Sequence, residues 1–174
     1  MKNKMLVMFG ILLLAAGSML AHDKEDVPVP LEQQIRDAVL SSPRYGVFDA
    51  VFFDLQGNEL ILKGHVVQPI IKEEIGIAVS RIKSLEKVQN DIEVLPLSSM
   101  DNSIRRQIYH KLFGIADMYK YAMGAYPSIH IIVKHGHVSL EGYVSSDSDK
   151  KLALLASRGI LGVFSIENNL IIDK

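Results

Sequence analysis

The chain has 174 residues, 48% of them hydrophobic and 22% charged, and it contains neither Cys nor Trp. The apolar fraction is ample for a packed core and excludes a wholly disordered chain; the length suits one domain or two small ones. The lack of Cys excludes disulfides, thiolate metal sites, Cys nucleophiles and a lipid carried on an N-terminal Cys, and a formal net charge of −1 argues against a strongly basic nucleic-acid binder.

Lys2 and Lys4 precede an uncharged apolar run from Met5 to Ala16, followed by Gly17, Ser18 and Ala21, and charge resumes at Asp23. This is the order of regions in a secretory signal peptide. The 12-residue run is too short to cross ~30 Å of hydrocarbon as a helix. The reading is a signal peptide over 1–21 cut after Ala21, leaving 153 residues with a charge of −3, and a short N-terminal linker over 22–30.

Leu31, Ile35, Ala38 and Val39 fall at helical spacing after Pro28 and Pro30, and Ser41, Ser42, Pro43 and Gly46 end that helix. Val47 to Leu55 is rich in Val and Phe and predicts a strand, and Gln56-Gly57-Asn58 is turn chemistry. Glu59 to Val66 alternates as a second strand. Pro69 opens a helix whose stripe is Ile71, Ile75, Ala78 and Ile82, and Val88 to Leu95 predicts the closing strand. The stretch 96–103 (PLSSMDNS) reads as the connection, with a linker at 98–100 and Asp101 or Ser103 capping a helix from about Ile104. Ile129–Lys134 and His137–Val144 predict a hairpin around His135-Gly136, followed by a helix over 148–158 and a strand over 163–172.

The two halves repeat each other. NELILKGHV at 58–66 lies over GHVSLEGYV at 136–144, an offset of 78. The same offset sets Ile75, Ala78 and Ile82 over Ala153, Ala156 and Ile160, and Val88, Asn90, Ile92 and Val94 over Ile166, Asn168, Leu170 and Ile172. The first helices match at an offset of 69, Ile35 and Val39 over Ile104 and Ile108, so the second copy carries nine extra residues before its hairpin. The predicted fold is α+β: two tandem α-β-β-α-β units over 31–97 and 101–174, each a small mixed three-stranded sheet with two helices on one face. A helix between strands two and three makes those strands parallel, while the hairpin is antiparallel. The first strand is apolar on both faces, so its helix-free side needs cover from the other unit or a second chain.

Leu62-x-Gly64-x-Val66, a helix, then Val88-x-Asn90-x-Ile92 resembles the BON domain (bacterial osmotic and nodulation). Leu140-x-Gly142-x-Val144 and Ile166-x-Asn168-x-Leu170 carry the same signature, so the resemblance covers two tandem domains behind a signal peptide. It implies an exported, periplasmic envelope protein without catalytic residues. The family includes osmotically induced periplasmic proteins and a two-domain outer-membrane lipoprotein whose second domain binds anionic phospholipid. Gly64 and Gly142 read as places of close packing or a bend, and Asn90 and Asn168 as residues bonding local backbone.

The units differ in charge: residues 31–97 carry 7 basic and 10 acidic residues, while 101–174 carry 9 and 7. Within 104–126, Arg105, Arg106, Lys111 and Lys120 face only Asp117 and are interleaved with Tyr109, Phe113, Met118, Tyr119, Tyr121, Met123 and Tyr126. Such a mixture suits an anionic membrane surface, and Arg105, Arg106, Lys111, Lys120, Met118, Tyr119, Tyr121, Met123 and Tyr126 are the candidate lipid contacts. The competing assignment packs Ile104, Ile108 and Leu112 on the sheet with the tyrosines over its edge. A protein partner, a homo-oligomer or a chaperone-like role through an apolar sheet face is the alternative function.

His130, His135 and His137 could recruit Zn or Cu, but a regular strand turns His130 and His135 to opposite faces and no carboxylate adjoins the tip. Glu73 and Glu74 diverge by about 100° on a helix and do not converge on a substrate. Gly159 to Gly162 lacks the Lys and Ser of a phosphate cradle, and no Gly-x-Ser-x-Gly elbow occurs. The sequence therefore predicts no enzyme, no cofactor, no metal and no nucleic-acid partner.

Overall fold

A computed structural model describes residues 29–123 and 126–173. The predicted signal peptide and most of the N-terminal linker lie outside the described residues. The first unit runs α1 (Leu31–Leu40), β1 (Ala50–Gln56), β2 (Glu59–Val66), α2 (Pro69–Ser80), β3 (Lys87–Asn90) and β4 (Glu93–Val94). The second runs α3 (Ser99–Phe113), α4 (Ala116–Tyr119), a 3-10 turn (Lys120–Ala122), β5 (Ile129–Lys134), β6 (His137–Val144), α5 (Asp147–Ser157), β7 (Ser165–Asn168) and β8 (Ile171–Ile172). The predicted α+β class and its element order are both present.

In each unit the second strand is central. β2 pairs antiparallel with β1 and parallel with β3 and β4. β6 does the same with β5, β7 and β8. The predicted single closing strand is in both units two short pieces, because its Asn folds back on the backbone two residues ahead. Leu60, Leu62 and Val66 meet Ile35 and Val39 of α1 and Ile71, Ile75 and Val79 of α2 in one core. Val79 takes the buried place expected of Ala78, and Ile82 packs from beyond the helix end. Ile104, Ile108 and Leu112 of α3 meet Ile129, Ile131, Val133 and Leu140 in the other. Each such side chain, fully buried, contributes roughly 1.5–3 kcal/mol over its exposed state.

Two boundaries depart from the predictions. β1 starts at Ala50, not Val47, because Asp49 closes a turn: its backbone N–H donates to the Gly46 carbonyl and its carboxylate accepts from the N–H of Gly46 and of Val67. α3 starts at Ser99, so the stretch read as a linker is the helix cap and first turn. Ser98 is the cap, accepting from Asp101 N at 3.1 Å. Asp101 serves another element: its carboxylate accepts from His135 N and Gly136 N, both at 2.9 Å, and holds the β5–β6 turn.

The units pack on each other through the start of β1. Ile131 N donates to Val47 O at 2.7 Å, and Phe48 meets Tyr109 edge-on at 6.2 Å. Ala50, on the helix-free face of β1, is buried with Leu95 and Ile132. Lys134 bonds Glu93 at 2.7 Å across the same junction. Phe52, further along that face, stays 47% exposed.

Candidate functional site

The repeated Gly and Asn are structural in both units, and in the same way. Gly64 has φ +116° and Gly142 φ +108°. A Cβ on Gly64 would sit 2.1 Å from the Ala50 carbonyl oxygen, and one on Gly142 2.0 Å from that of Ser128. The neighbouring strand thus passes where a side chain would be. Asn90 donates from Nδ2 to Lys72 O at 3.1 Å and accepts at Oδ1 from Ile92 N. Asn168 donates to Lys150 O at 2.8 Å and accepts from Leu170 N. Each Asn therefore ties the break in the closing strand to the preceding helix, a longer reach than the local bonding predicted.

The cationic and aromatic residues of 104–126 divide into two groups. Arg105 is 3% exposed. Its guanidinium donates to the Val133 carbonyl and to Asn102 Oδ1, with Nε unbonded among the described residues. Burial pulls its pKa below the ordinary value, opposed by the charges of Asp101 and Asp49. Met118 is fully buried in the second core. Tyr121 is buried too, its hydroxyl donating to Asp149 at 2.7 Å and accepting from Ser145 N at 2.8 Å. The Tyr121 bond is the main reason the Asp149 carboxyl lies below its usual pKa. Arg105, Met118 and Tyr121 are thereby corrected from contact residues to packing residues: α3 meets the sheet and the first unit on the side that carries Arg105.

The other candidates reach solvent. Tyr119 is 56% exposed, Met123 59% and Tyr126 43%. Lys120 lies among them, 4.8 Å from the Tyr121 ring centre and 3.3 Å from Asp149. Arg106 is exposed on α3, and Lys111, one and a half turns on, bonds Arg158 O at 3.1 Å. Tyr119, Lys120, Met123 and Tyr126 thus bring apolar and cationic side chains to the surface in the segment that the first unit lacks, while Arg106 and Lys111 lie on α3, the helix that both units have.

The histidines do not converge. His130 Nδ1 bonds Gly46 O at 3.2 Å and its ring packs on Tyr45, so it belongs to the junction between units. Its burial lowers its pKa, partly countered by the bond to Gly46. His135 stands in the turn with φ 52°, and His137 bonds Ser165 Oγ at 2.8 Å. Among the described residues no three His, Asp or Glu gather as a metal would require. Glu74 pairs with Arg44 and accepts from Ser42, a structural role for half of the Glu73-Glu74 pair.

Two features were missed in the sequence. One is a cleft of about 460 Å³ between the units, lined by Arg36, Phe52, Phe53, His130 and Tyr143 among others. It arises from the unit-to-unit packing, for which the sequence has no local signal. The other is a pair of exposed apolar side chains beyond α5, Leu161 at 89% and Phe164 at 77%. No helix among the described residues is long and apolar enough to cross a membrane.

The BON domain family model matches residues 115–174, from the end of α3 onward. No curated protein matches the chain. Two solved structures of CdsD, a structural protein of the Type III secretion system of Chlamydia trachomatis, are similar to it. One, of the C-terminal domain, has 12% identity and a TM-score of 0.31, covering 84% of this chain and 99% of its own. The other has 14% identity and a TM-score of 0.30, covering 84% and 94%. The family model spans the part of the second unit that holds Gly142 and Asn168.

Proposed function

With a BON domain at residues 115–174 as the premise, we propose that this chain is a non-enzymatic, exported envelope module. Its second unit makes peripheral, reversible contact with anionic phospholipid, in envelope maintenance or osmotic stress, and its compartment is the periplasm. The observation that carries this reading is the exposure of Tyr119, Met123 and Tyr126 around Lys120, in a segment added to a repeat whose other copy does without it. Aromatic and thioether side chains enter the headgroup boundary while each nearby cation adds about 1 kcal/mol of attraction to an anionic surface.

The test is co-sedimentation of residues 22–174, which retain every described residue, with anionic and zwitterionic vesicles at low and high salt. Binding to anionic vesicles that high salt abolishes supports the reading. In that assay Arg106→Gln with Lys120→Gln should weaken binding about tenfold or more, since two such cations are worth roughly 2 kcal/mol. Binding to neither vesicle overturns it. The alternative, a protein-interaction or chaperone-like module, is favoured by one observation, Phe52 exposed beside the inter-unit cleft. It predicts association that salt does not disrupt.

A further inference from the structure

The two units can be compared position by position in the loop that leaves the second helix. In the first unit Leu85 N donates to Ile82 O and Glu86 N to Asn58 O. In the second, Val163 N donates to Ile160 O and Phe164 N to Gly136 O. All four residues correspond at the offset of 78. The inward positions keep their character, Ile82 over Ile160 and Leu85 over Val163. The outward positions do not: Lys83 stands where the second unit has Leu161, and Glu86 where it has Phe164. The same turn in the same fold thus tolerates charge at both places, so packing does not account for two apolar side chains 89% and 77% exposed.

We propose that Leu161 and Phe164 form a knob that enters the apolar boundary of an anionic lipid surface. This rests on the lipid reading above and adds a second point of contact to it. The knob is held in place before binding. The Phe164 ring lies against Gly136, where a Cβ would come within 2.7 Å of it, and 6.0 Å from the His137 ring. Met100, 58% exposed, lies over Gly162 beside it. The cations beside it suit phosphate: Arg158, three residues before Leu161, is exposed, and Lys111 bonds its carbonyl. Of the carboxylates, Asp101 is buried under the β5–β6 turn and Glu167, three residues beyond Phe164, is exposed. The shape also favours lipid over protein. The knob projects, and its two side chains fall far short of the roughly 800 Å² per partner that a stable protein interface covers. It stands at the start of α3, and the Tyr119–Tyr126 strip at the end. The 15-residue helix separates them by about 22 Å, with Arg106 and Lys111 between. The second unit would then lie along the membrane on α3.

The experiment grafts the first unit's residues onto the second, Leu161→Lys with Phe164→Glu, which leaves net charge unchanged and uses side chains this turn already accepts. Circular dichroism confirms the fold, and binding of residues 22–174 to anionic vesicles is titrated. The expected result is affinity at least tenfold weaker than wild type. Because the chain has no Cys, Leu161→Cys with a polarity-sensitive fluorophore reports insertion directly, with Lys83→Cys as its control. The label should move to an apolar environment at 161 and stay in water at 83. Wild-type binding that the graft changes by less than twofold overturns the knob and leaves the lipid reading standing. Absence of wild-type binding overturns both.

Discussion

Replacing Gly142 by Ala tests the claim that the repeated glycines are steric. Two costs follow from the geometry. An L residue at φ +108° carries backbone strain of about 1–3 kcal/mol. The new Cβ also meets Ser128 O at 2.0 Å, and that oxygen accepts from Tyr143 N at 2.9 Å. Moving the oxygen aside gives up a hydrogen bond worth about 1 kcal/mol net. The sum is about 2–4 kcal/mol, or a drop in Tm of roughly 5–15 °C for a chain of this size. Gly159→Ala is the matched control: φ is +70° there, but nothing lies within 4 Å of the built Cβ. It should cost about 1 kcal/mol, the usual penalty for a left-handed non-Gly residue. Urea and thermal unfolding followed by far-ultraviolet circular dichroism compare the two. If Gly142→Ala is no more destabilising than Gly159→Ala, the carbonyl approach is not what requires glycine, and the same account fails for Gly64.

Asn168→Ala should cost about 1–3 kcal/mol in urea unfolding, since it removes a donor to Lys150 O and an acceptor for Leu170 N; Asn168→Asp, which keeps only the acceptor, should not restore stability. Arg105→Met should lower stability by about 1–3 kcal/mol through the Val133 carbonyl it leaves unbonded, and should change vesicle affinity of the folded protein by less than twofold; a selective loss of vesicle binding would return Arg105 to the contact surface. Burial holds the His130 pKa below its usual 6.5, so the unfolded chain takes up the proton first as pH falls. Its contribution is therefore complete above that pH and is lost below it, and His130→Gln should flatten the fall of Tm on acidification, a slope read by scanning calorimetry.

The fold was largely legible because the sequence writes it twice. Agreement of Leu60, Gly64, Val66 and Asn90 with their partners in the second half located strands and crossover without propensity alone. The misread start of β1 has a local cause. Val47 and Phe48 have strand propensity, but the Asp49 carboxylate captures two backbone N–H groups and imposes a turn. The site was less legible because its division into buried and exposed depends on tertiary packing within the second unit. Arg105 and Arg106 are adjacent in sequence; one is buried against the Val133 carbonyl and Asn102, and the other stays in water. Leu161 and Phe164 were within reach: the register that matched the repeats by likeness also marks them as the places where the copies disagree.

That disagreement bears on how the charges act. The net −1 conceals an acidic first unit and a basic second one, packed together through Val47, Phe48 and Lys134. At physiological salt the Debye length is about 8 Å, so charges of the acidic unit further than that from a bound surface would be largely screened from it. What counts is the charge within one such length of the proposed contact: the cations Arg106, Lys111, Lys120 and Arg158, with Asp149 paired to Lys120 and Asp117 set against them. Screening by itself would leave such a contact weak and unspecific, since exposed cations attract any anionic surface alike. The added apolar groups change that. A knob and an aromatic strip at the two ends of α3 can enter only a surface that yields, which separates a lipid boundary from a soluble polyanion. On this proposal the first unit, with Lys83 and Glu86 at the corresponding turn, would share the backbone and lack that selectivity.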